Sequence, residues 1–232
     1  MKNGWRKILN GYRVNWKVFL DCIFPNFCLE CRREGEWWCA DCRQKFPFQL
    51  TVSAPHNLGQ NKVYLDQVLA FFDYDESCPP ARLLKQFKYS YARGIREVWQ
   101  NVIADQIGKL VNYQDFTLVP VPLHAQRARE RGFNQAYILA ELVCELPGWN
   151  GGLNTNLKRI RYTECQAGLN RERRLTNLDG AFAWVDVSIP NKILLVDDVY
   201  TTGATMNECA KVLKKSGAKQ VFGLVLANGR PR

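Results

Sequence analysis

The segment that decides the fold is Ile193-Leu-Leu-Val-Asp-Asp-Val-Tyr-Thr-Thr-Gly-Ala-Thr-Met206. Its first four residues are apolar, so residues 192–196 are predicted to form a buried strand. Asp197 and Asp198 follow at the C-terminal end of that strand, and a helix is predicted over 205–215. Because ligands of open α/β sheets bind beyond the carboxyl ends of the strands, the segment predicts a strand, a ligand-binding loop and a helix.

The loop between this strand and this helix has the composition of a phosphate-binding turn. Gly203 permits a tight turn, amides at a helix N-terminus bind anions, and Thr201, Thr202 and Thr205 add hydroxyl donors. With two carboxylates beside it, the loop predicts a phosphorylated sugar as ligand. A helix start with ordinary capping threonines is the alternative, but it does not explain the two acids. The chain has neither a P-loop nor a dinucleotide-binding glycine motif.

Strand-like and helix-like segments alternate along the rest of the chain. Apolar runs predict strands at 68–72, 117–121 and 221–227, and periodic apolar residues predict helices at 81–89, 95–110 and 133–143. This alternation is typical of an α/β domain whose parallel sheet is covered by helices on both faces. The polar stretch 53–61 is predicted to be a linker, so we expect domains at 1–55 and 60–232.

The composition is that of a folded globular protein. Of the 232 residues, 47% are hydrophobic and 23% are charged, which excludes a disordered tail, a collagen-like fibre and a coiled-coil rod. The basic N-terminal segment has no signal-peptide pattern, and no apolar run is long enough to span a membrane. A short basic amphipathic helix that packs on its own protein is favoured there over one that lies on a membrane. We therefore expect a cytoplasmic protein with no membrane span.

Four of the nine cysteines form a C-x2-C-x7-C-x2-C pattern: Cys28, Cys31, Cys39 and Cys42. Two such pairs can direct four thiolates at one tetrahedral centre, which is the geometry of structural Zn²⁺ sites. A zinc ion would also supply folding free energy to a module of this small size. Two disulfides, an iron–sulfur cluster or a redox pair are the alternatives.

The cysteine module also carries basic and aromatic residues. This mixture suits single-stranded nucleic acid, whose phosphates meet the charges and whose bases stack on the rings. The alternative is a zinc module that only stabilises structure or binds another protein. The residues concerned are Arg32, Arg33, Arg43, Lys45, Trp37 and Trp38.

Several segments together resemble one family. Residues 193–205 resemble the phosphoribosyl pyrophosphate (PRPP) signature of type I phosphoribosyltransferases. Val119-Pro-Val-Pro-Leu-His124 with Arg131-Gly-Phe-Asn-Gln135, and Arg161-Tyr-Thr-Glu-Cys-Gln166, are similar to stretches of the ComF (competence protein F) family, as is the four-cysteine module. The resemblance covers about residues 22 to 227, and the chain is identified as a member of that family.

The resemblance implies a type I phosphoribosyltransferase-like α/β domain behind an N-terminal helix and zinc finger. It implies PRPP with Mg²⁺ as ligand, structural Zn²⁺, and a role in DNA uptake during natural transformation, with single-stranded DNA and a DNA-uptake helicase as partners. Asp197 and Asp198 would be the catalytic residues at the ribose hydroxyls. The other substrate-binding residues would be Tyr200, Thr201, Thr202, Gly203, Ala204, Thr205, Arg127, Arg131, Arg161 and Arg174.

Six arginines cluster in two short segments, and the cluster admits three interpretations. They are Arg127, Arg129, Arg131, Arg171, Arg173 and Arg174. In a transferase they would neutralise the leaving pyrophosphate together with Mg²⁺. They could equally form a solvated basic face or a nucleic-acid track, because positive charge attracts either polyanion. Neither His56 nor His124 has an evident acid or nucleophile partner in the sequence, so no catalytic role is predicted for them.

Three functions follow from these patterns. The first is a transferase that moves a phosphoribosyl group from PRPP to an acceptor and expels pyrophosphate. The second is a non-catalytic, single-stranded DNA-binding adaptor whose PRPP site is a sensor. The third, nucleobase salvage, is the weakest because no segment of the sequence suggests a base-reading site. The acceptor and the general base are not indicated by the sequence.

Overall fold

The structure is a computed structural model that describes residues 25–46, 48–56, 62–89, 93–123, 129, 132–161 and 178–229. Contacts within the chain divide it into two compact units, Met1–Phe46 and Pro47–Arg232. The domain limits 1–55 and 60–232 stay a prediction. The following predicted features lie outside the described residues: the N-terminal amphipathic helix, His124, Arg127, Arg131 and Arg174.

The described part of the first unit, residues 25–46, consists mainly of turns. A short helix, α1, covers Ala40–Gln44, and an antiparallel bridge joins Phe27 to Glu34. Gly35 follows this bridge with a φ of 111°, which is the left-handed region that glycine enters without strain. The chain therefore reverses within residues 28–33, the segment that contains the first cysteine pair.

The second unit contains seven strands and five further α-helices among its described residues. In chain order they are β1 Thr51–Ser53, β2 Gln67–Asp73, α2 Pro79–Tyr89, α3 Arg93–Ala104, α4 Ile107–Leu110, β3 Thr117–Pro120, α5 Gln135–Cys144, β4 Leu157–Arg159, β5 Phe182–Trp184, β6 Lys192–Tyr200, α6 Ala204–Lys215 and β7 Gln220–Asn228.

The main sheet has the strand order β1-β2-β7-β6-β3. β2, β7, β6 and β3 are parallel, and β1 pairs antiparallel with β2 at one edge. β4 and β5 form a separate antiparallel pair. The prediction of an α/β fold with a mostly parallel sheet is therefore confirmed, and the antiparallel edge strand was not predicted.

The sheet is covered on both faces. All four residues at 193–196 are at most 1% exposed, and alternate side chains of a strand point to opposite faces. α5 packs against β3 and β6, whereas α6 packs against β5, β6 and β7. Burial on both sides explains why β6 is a continuous apolar run rather than an alternating one.

Two predicted elements have different bounds in the structure. The helix expected over 95–110 is interrupted at Asp105 and Gln106, between α3 and α4. The Gln106 side chain accepts from the Leu50 amide at 3.1 Å and donates to the Phe48 carbonyl at 3.2 Å. These bonds link the interruption to the segment that leads into β1, a tertiary contact that helical periodicity does not reveal.

The other difference is in β6, which continues four residues beyond the predicted end at 196. β7 supplies the pairing, with Asp197 opposite Val225 and Tyr200 opposite Asn228. Asp197 and Asp198 are therefore the last part of the strand and not the loop that follows it.

None of the described helices is long and apolar enough to cross a membrane.

Candidate functional site

The four cysteines of the first unit lie together. Their sulfur atoms are all within 4.8 Å of one another, and the Cys31 and Cys39 sulfurs are 3.6 Å apart. Zinc–sulfur bonds of about 2.3 Å would place sulfurs about 3.8 Å apart at the corners of a tetrahedron. Cys28, Cys39 and Cys42 are buried and Cys31 is exposed. The cluster could hold a metal ion, and its spacing fits a tetrahedral one.

Local backbone structure brings the two cysteine pairs together. The Cys28 amide donates to the Arg33 carbonyl at 2.8 Å, and the Arg32 amide donates to the Cys28 carbonyl at 2.9 Å. Arg32 has a φ of 63°, so the chain turns sharply after Cys31. In the second pair, Cys39 is the N-cap of α1, and Cys42 lies in that helix.

The thiols differ in how readily they lose a proton. Burial raises the pKa of Cys28, but backbone amides, that of Cys39 foremost, hydrogen-bond its sulfur and lower the pKa to about 6. Burial and the neighbouring thiols raise the pKa of Cys42 to about 12. Thiolates crowded without a cation repel one another. A bound divalent cation would remove that repulsion and bind all four as thiolates.

The aromatic residues of the module have different exposures. Trp38 is 2% exposed and lies 6.3 Å from the Phe46 ring, so its ring packs inside the unit and is not available to stack on a base. Trp37 is half-buried. Arg33 forms a 2.6 Å ion pair with Asp41, whereas Arg32 and Lys45 are exposed. The stacking interpretation is therefore wrong for Trp38.

In the second unit, two half-buried carboxylates lie near the C-terminal end of β6. The Asp197 carboxylate accepts a hydrogen bond from the Asp198 amide at 2.8 Å. Because strand side chains alternate, Asp197 shares the face of Ile193 and Leu195, and Asp198 belongs to the opposite face. Asp197 also lies close enough to Cys209 of α6 for its charge to help raise that thiol's pKa, although burial is the main cause.

A three-residue loop, Thr201, Thr202 and Gly203, joins β6 to α6; we call it the phosphate loop, after the ligand that the sequence predicts for it. Gly203 is the N-cap of α6 with a φ of 76°. A Cβ at this position would collide with the His56 carbonyl oxygen and lie 2.6 Å from the Tyr200 hydroxyl oxygen. The Ala204 amide lies 3.4 Å from Thr202 Oγ1, and the Asn207 amide donates to the Gly203 carbonyl at 2.8 Å. Only glycine fits here, for reasons of both conformation and space.

The predicted ligand-binding residues differ in exposure. Thr201 is exposed, Thr202 and Thr205 are half-buried, and Ala204 is buried. Tyr200 is 1% exposed, and its hydroxyl donates to the His56 carbonyl. Burial raises the pKa of Tyr200 to about 12, so the hydroxyl keeps its proton and remains a donor. The hydroxyl of Tyr200 is therefore used within the fold.

His56 lies at the phosphate loop, although the sequence places it in a polar linker. Its Nε2 is 2.7 Å from the Thr201 carbonyl oxygen, and its ring packs edge-on against Tyr200 with centroids 4.6 Å apart. Nothing in its sequence neighbourhood marks the residue, because its partners are more than 140 positions away. The presence of only two histidines in the chain was the single available hint.

Asn207 is a second residue that the sequence analysis missed. It is fully buried in α6. Its side chain donates to the Lys62 carbonyl at 3.0 Å and accepts from the Tyr64 amide at 2.7 Å. A polar side chain among the apolar positions of α6 is the signal that could have indicated a structural hydrogen bond.

The segment that follows β3 reaches the same edge of the sheet. The Asn134 side chain donates to the Val121 carbonyl at 3.0 Å and accepts from the Ala136 amide at 3.1 Å. It thus caps α5 and ties the helix start to the end of β3. Val121 in turn donates its amide to Val196 of β6 at 2.8 Å. The Gly-Phe-Asn-Gln motif therefore begins α5 next to the strand that carries the acids.

Of the four predicted arginine ligands, the structure describes Arg161. Its guanidinium donates to the Asp179 carbonyl at 2.6 Å. The Asp179 carboxylate is 2.7 Å from Lys211, whose hydrogen bond and charge lower the pKa of Asp179. Lys211 also contacts the buried Glu208 at 3.1 Å. Charged residues of α6 thus contact Asp179, which binds Arg161.

No protein-family model matches the chain. Among curated proteins, the chain is 42% identical over 216 residues to competence protein F of Haemophilus influenzae, a match that covers 88% of this chain and 86% of that protein. It is 33% identical over 158 residues to competence protein ComFC of Streptococcus pneumoniae, covering 67% of this chain and 66% of that protein. The DNA utilization protein YhgH of Escherichia coli is 36% identical over 110 residues, covering 45% of each chain.

Proposed function

The chain belongs to the competence protein ComF family, and on that premise we propose that it binds PRPP with Mg²⁺ and transfers the phosphoribosyl group in a process that serves DNA uptake. One observation carries the proposal. Two half-buried carboxylates lie in the last four residues of a central parallel strand, and Gly203, which caps the next helix, follows Asp198 by five positions. Sugar hydroxyls and a phosphate require these two sets of groups side by side.

The phosphate loop is suited to the 5-phosphate. The first amides of α6 have no partner within the helix and carry the positive end of its dipole. Gly203 lets the backbone approach the ligand closely, and the hydroxyls of Thr201, Thr202 and Thr205 supply further donors. Such a helix start binds phosphate without a charged side chain.

Asp197 and Asp198 are proposed to act at the ribose, which would lie beyond the carboxyl end of β6, where side chains from both faces of the sheet can reach one ligand. Ionised carboxylates accept hydrogen bonds from hydroxyl groups, and negative charge beside the sugar stabilises an oxocarbenium-like transition state as the bond to pyrophosphate breaks. Mg²⁺, bound with the substrate, would neutralise pyrophosphate oxygens. Arg127, Arg131, Arg161 and Arg174 are proposed to assist that neutralisation.

We propose Zn²⁺ as the metal of the four-cysteine cluster, in a structural role. Four thiolates leave no open coordination position for a substrate. Because cysteines bind a metal only as reduced thiolates and not as disulfides, the proposal places the protein in a reducing compartment such as the cytoplasm.

Catalysis predicts acceptor-dependent release of pyrophosphate. Wild-type chain with PRPP and Mg²⁺ is expected to release pyrophosphate with at least one member of a panel of amines, nucleobases and single-stranded DNA, and chelation of Mg²⁺ should stop the release. A coupled colorimetric assay measures it. Bound PRPP without release for any acceptor would contradict the transferase and leave the sensor.

Single-stranded DNA is the second ligand that we propose, because the relatives include competence and DNA utilization proteins. In the first unit, Arg32 and Lys45 are exposed cations, and Trp37 is half-buried. All three lie within three positions of a cysteine of the cluster in the sequence, and two exposed cations suit backbone contacts more than base reading.

The DNA proposal predicts a salt dependence that these cations control. Reversing both charges, Arg32→Glu with Lys45→Glu, is expected to weaken binding and to reduce the slope of log K against log salt by about 1.4, since each phosphate contact contributes about 0.7 for single strands. The control reverses the exposed pair Lys215 and Lys219, with the same change in net charge. Fluorescence anisotropy with a labelled oligonucleotide measures both. Equal slopes in the two variants would contradict a contact at the cysteine module.

A further inference from the structure

His56 contacts the phosphate loop through both its side chain and its backbone. Nε2 lies 2.7 Å from the Thr201 carbonyl oxygen. A carbonyl oxygen can only accept a hydrogen bond, so Nε2 carries the proton and donates it. The ring edge packs against Tyr200 at 70° between the ring planes, which fixes the direction of that donor.

The backbone contact of His56 acts on Tyr200, the residue before Thr201. The Tyr200 hydroxyl donates to the His56 carbonyl oxygen, and that oxygen also covers the Cα of Gly203 so closely that no Cβ fits. One residue therefore holds Tyr200, Thr201 and Gly203. The chain beyond it is held again at Lys62 and Tyr64, by the buried side chain of Asn207.

These contacts determine where the polar groups of the loop point. Carbonyl oxygens carry negative partial charge and repel a phosphate, whereas amides attract it. The hydrogen bond to His56 keeps the Thr201 carbonyl directed at the imidazole. The Gly203 carbonyl is occupied separately by the Asn207 amide at 2.8 Å. Two of the three carbonyls of the phosphate loop are thus engaged within the protein.

We propose that His56 is a positioning residue for the PRPP site: it donates Nε2–H to the Thr201 carbonyl and so maintains the anion-binding conformation of the phosphate loop. The proposal rests on the proposed function of that loop. His56 touches no reacting atom in this account, and its effect on the ligand passes through Thr201 and Gly203.

Three substitutions at His56 test the proposal, because they differ in whether and where the new side chain offers a hydrogen-bond donor. Glutamine places an amide nitrogen near the position of Nε2, asparagine places one near that of Nδ1, and leucine has no donor. With PRPP and Mg²⁺ in a calorimeter, the His56→Gln variant is expected to bind within about threefold of wild type. The His56→Asn and His56→Leu variants are expected to lose about tenfold in affinity, the value of one neutral hydrogen bond. Equal affinity in all three variants, or equal loss, would overturn the proposal.

A measurement without ligand separates this proposal from the proposed function. Hydrogen exchange at the Asn207 amide, which closes the first turn of α6 on Gly203, should be faster in His56→Leu than in wild type and unchanged in His56→Gln. The Ile138 amide, which makes the corresponding bond to Asn134 at the start of α5, is the internal control. If wild type binds no PRPP, the proposed function fails, and exchange at Asn207 alone decides the role of His56. Unchanged exchange in His56→Leu would overturn it.

Discussion

A Gly203→Ala variant is expected to bind PRPP about 100-fold more weakly than wild type, the loss expected when one or two amide hydrogen bonds to a charged phosphate, worth about 1.5–3 kcal/mol each, are broken. The φ of 76° is unfavourable for alanine. The new methyl group would also collide with the His56 carbonyl and lie 2.6 Å from the Tyr200 hydroxyl oxygen. The loop must move to relieve this contact, and its amides move with it.

Gly152→Ala is the matched control for this substitution. Gly152 has a φ of 71°, but a Cβ there would meet nothing within 4 Å. The control therefore carries the conformational strain, about 1–2 kcal/mol, without the collision. Denaturant unfolding should show a smaller loss of stability for Gly152→Ala, and calorimetry should show wild-type affinity for PRPP. Equal affinities in the two variants would show that the loop conformation does not matter for binding.

A Cys42→Ser variant is expected to lose the metal and to unfold the cysteine module. The apparent binding free energy of structural zinc in small domains is about 10–16 kcal/mol at neutral pH, far more than a unit of this size gains from its own packing. Metal analysis of the purified chain should give close to one zinc per wild-type chain and almost none for the variant. Acidification should release zinc from wild type, because protons compete for the thiolates.

Cys78→Ser is the control for metal loss, since Cys78 is a half-buried free cysteine outside the cluster. It is expected to keep the full zinc content. A Cys42→Ser chain that retains stoichiometric zinc would contradict the four-thiolate site. Iron and sulfide in the purified wild-type chain would show that the four cysteines hold an iron–sulfur cluster and not zinc.

The strand, loop and helix at 192–215 could be predicted because each residue type there strongly favours one conformation or environment. Four apolar residues require burial, Gly203 permits a backbone that other residues resist, and the periodic pattern of α6 follows directly. The extension of β6 to Tyr200 could not be predicted in the same way. Two acids are poor strand residues, and only the pairing with β7 keeps them in the sheet.

Contacts between distant parts of the chain account for the remaining differences. The interruption at Gln106 accompanies hydrogen bonds to residues 56 and 58 positions away. His56 and Asn207 act through partners more than 140 positions away. Trp38 looked suited to base stacking because it is aromatic and lies near arginines, yet the small unit buries its ring. Composition and spacing do not identify the distant partners of such residues.

Calorimetric titration with PRPP and Mg²⁺ tests the central claim most directly, with wild type compared to the Asp197→Asn, Asp198→Asn double variant. These substitutions preserve shape and remove both negative charges from the end of β6. We expect saturable 1:1 binding to wild type and an affinity at least about 100-fold lower for the double variant, since each hydrogen bond to a charged group contributes about 1.5–3 kcal/mol. No binding to wild type, or the same affinity in both proteins, would contradict the claim that this edge of the sheet binds PRPP.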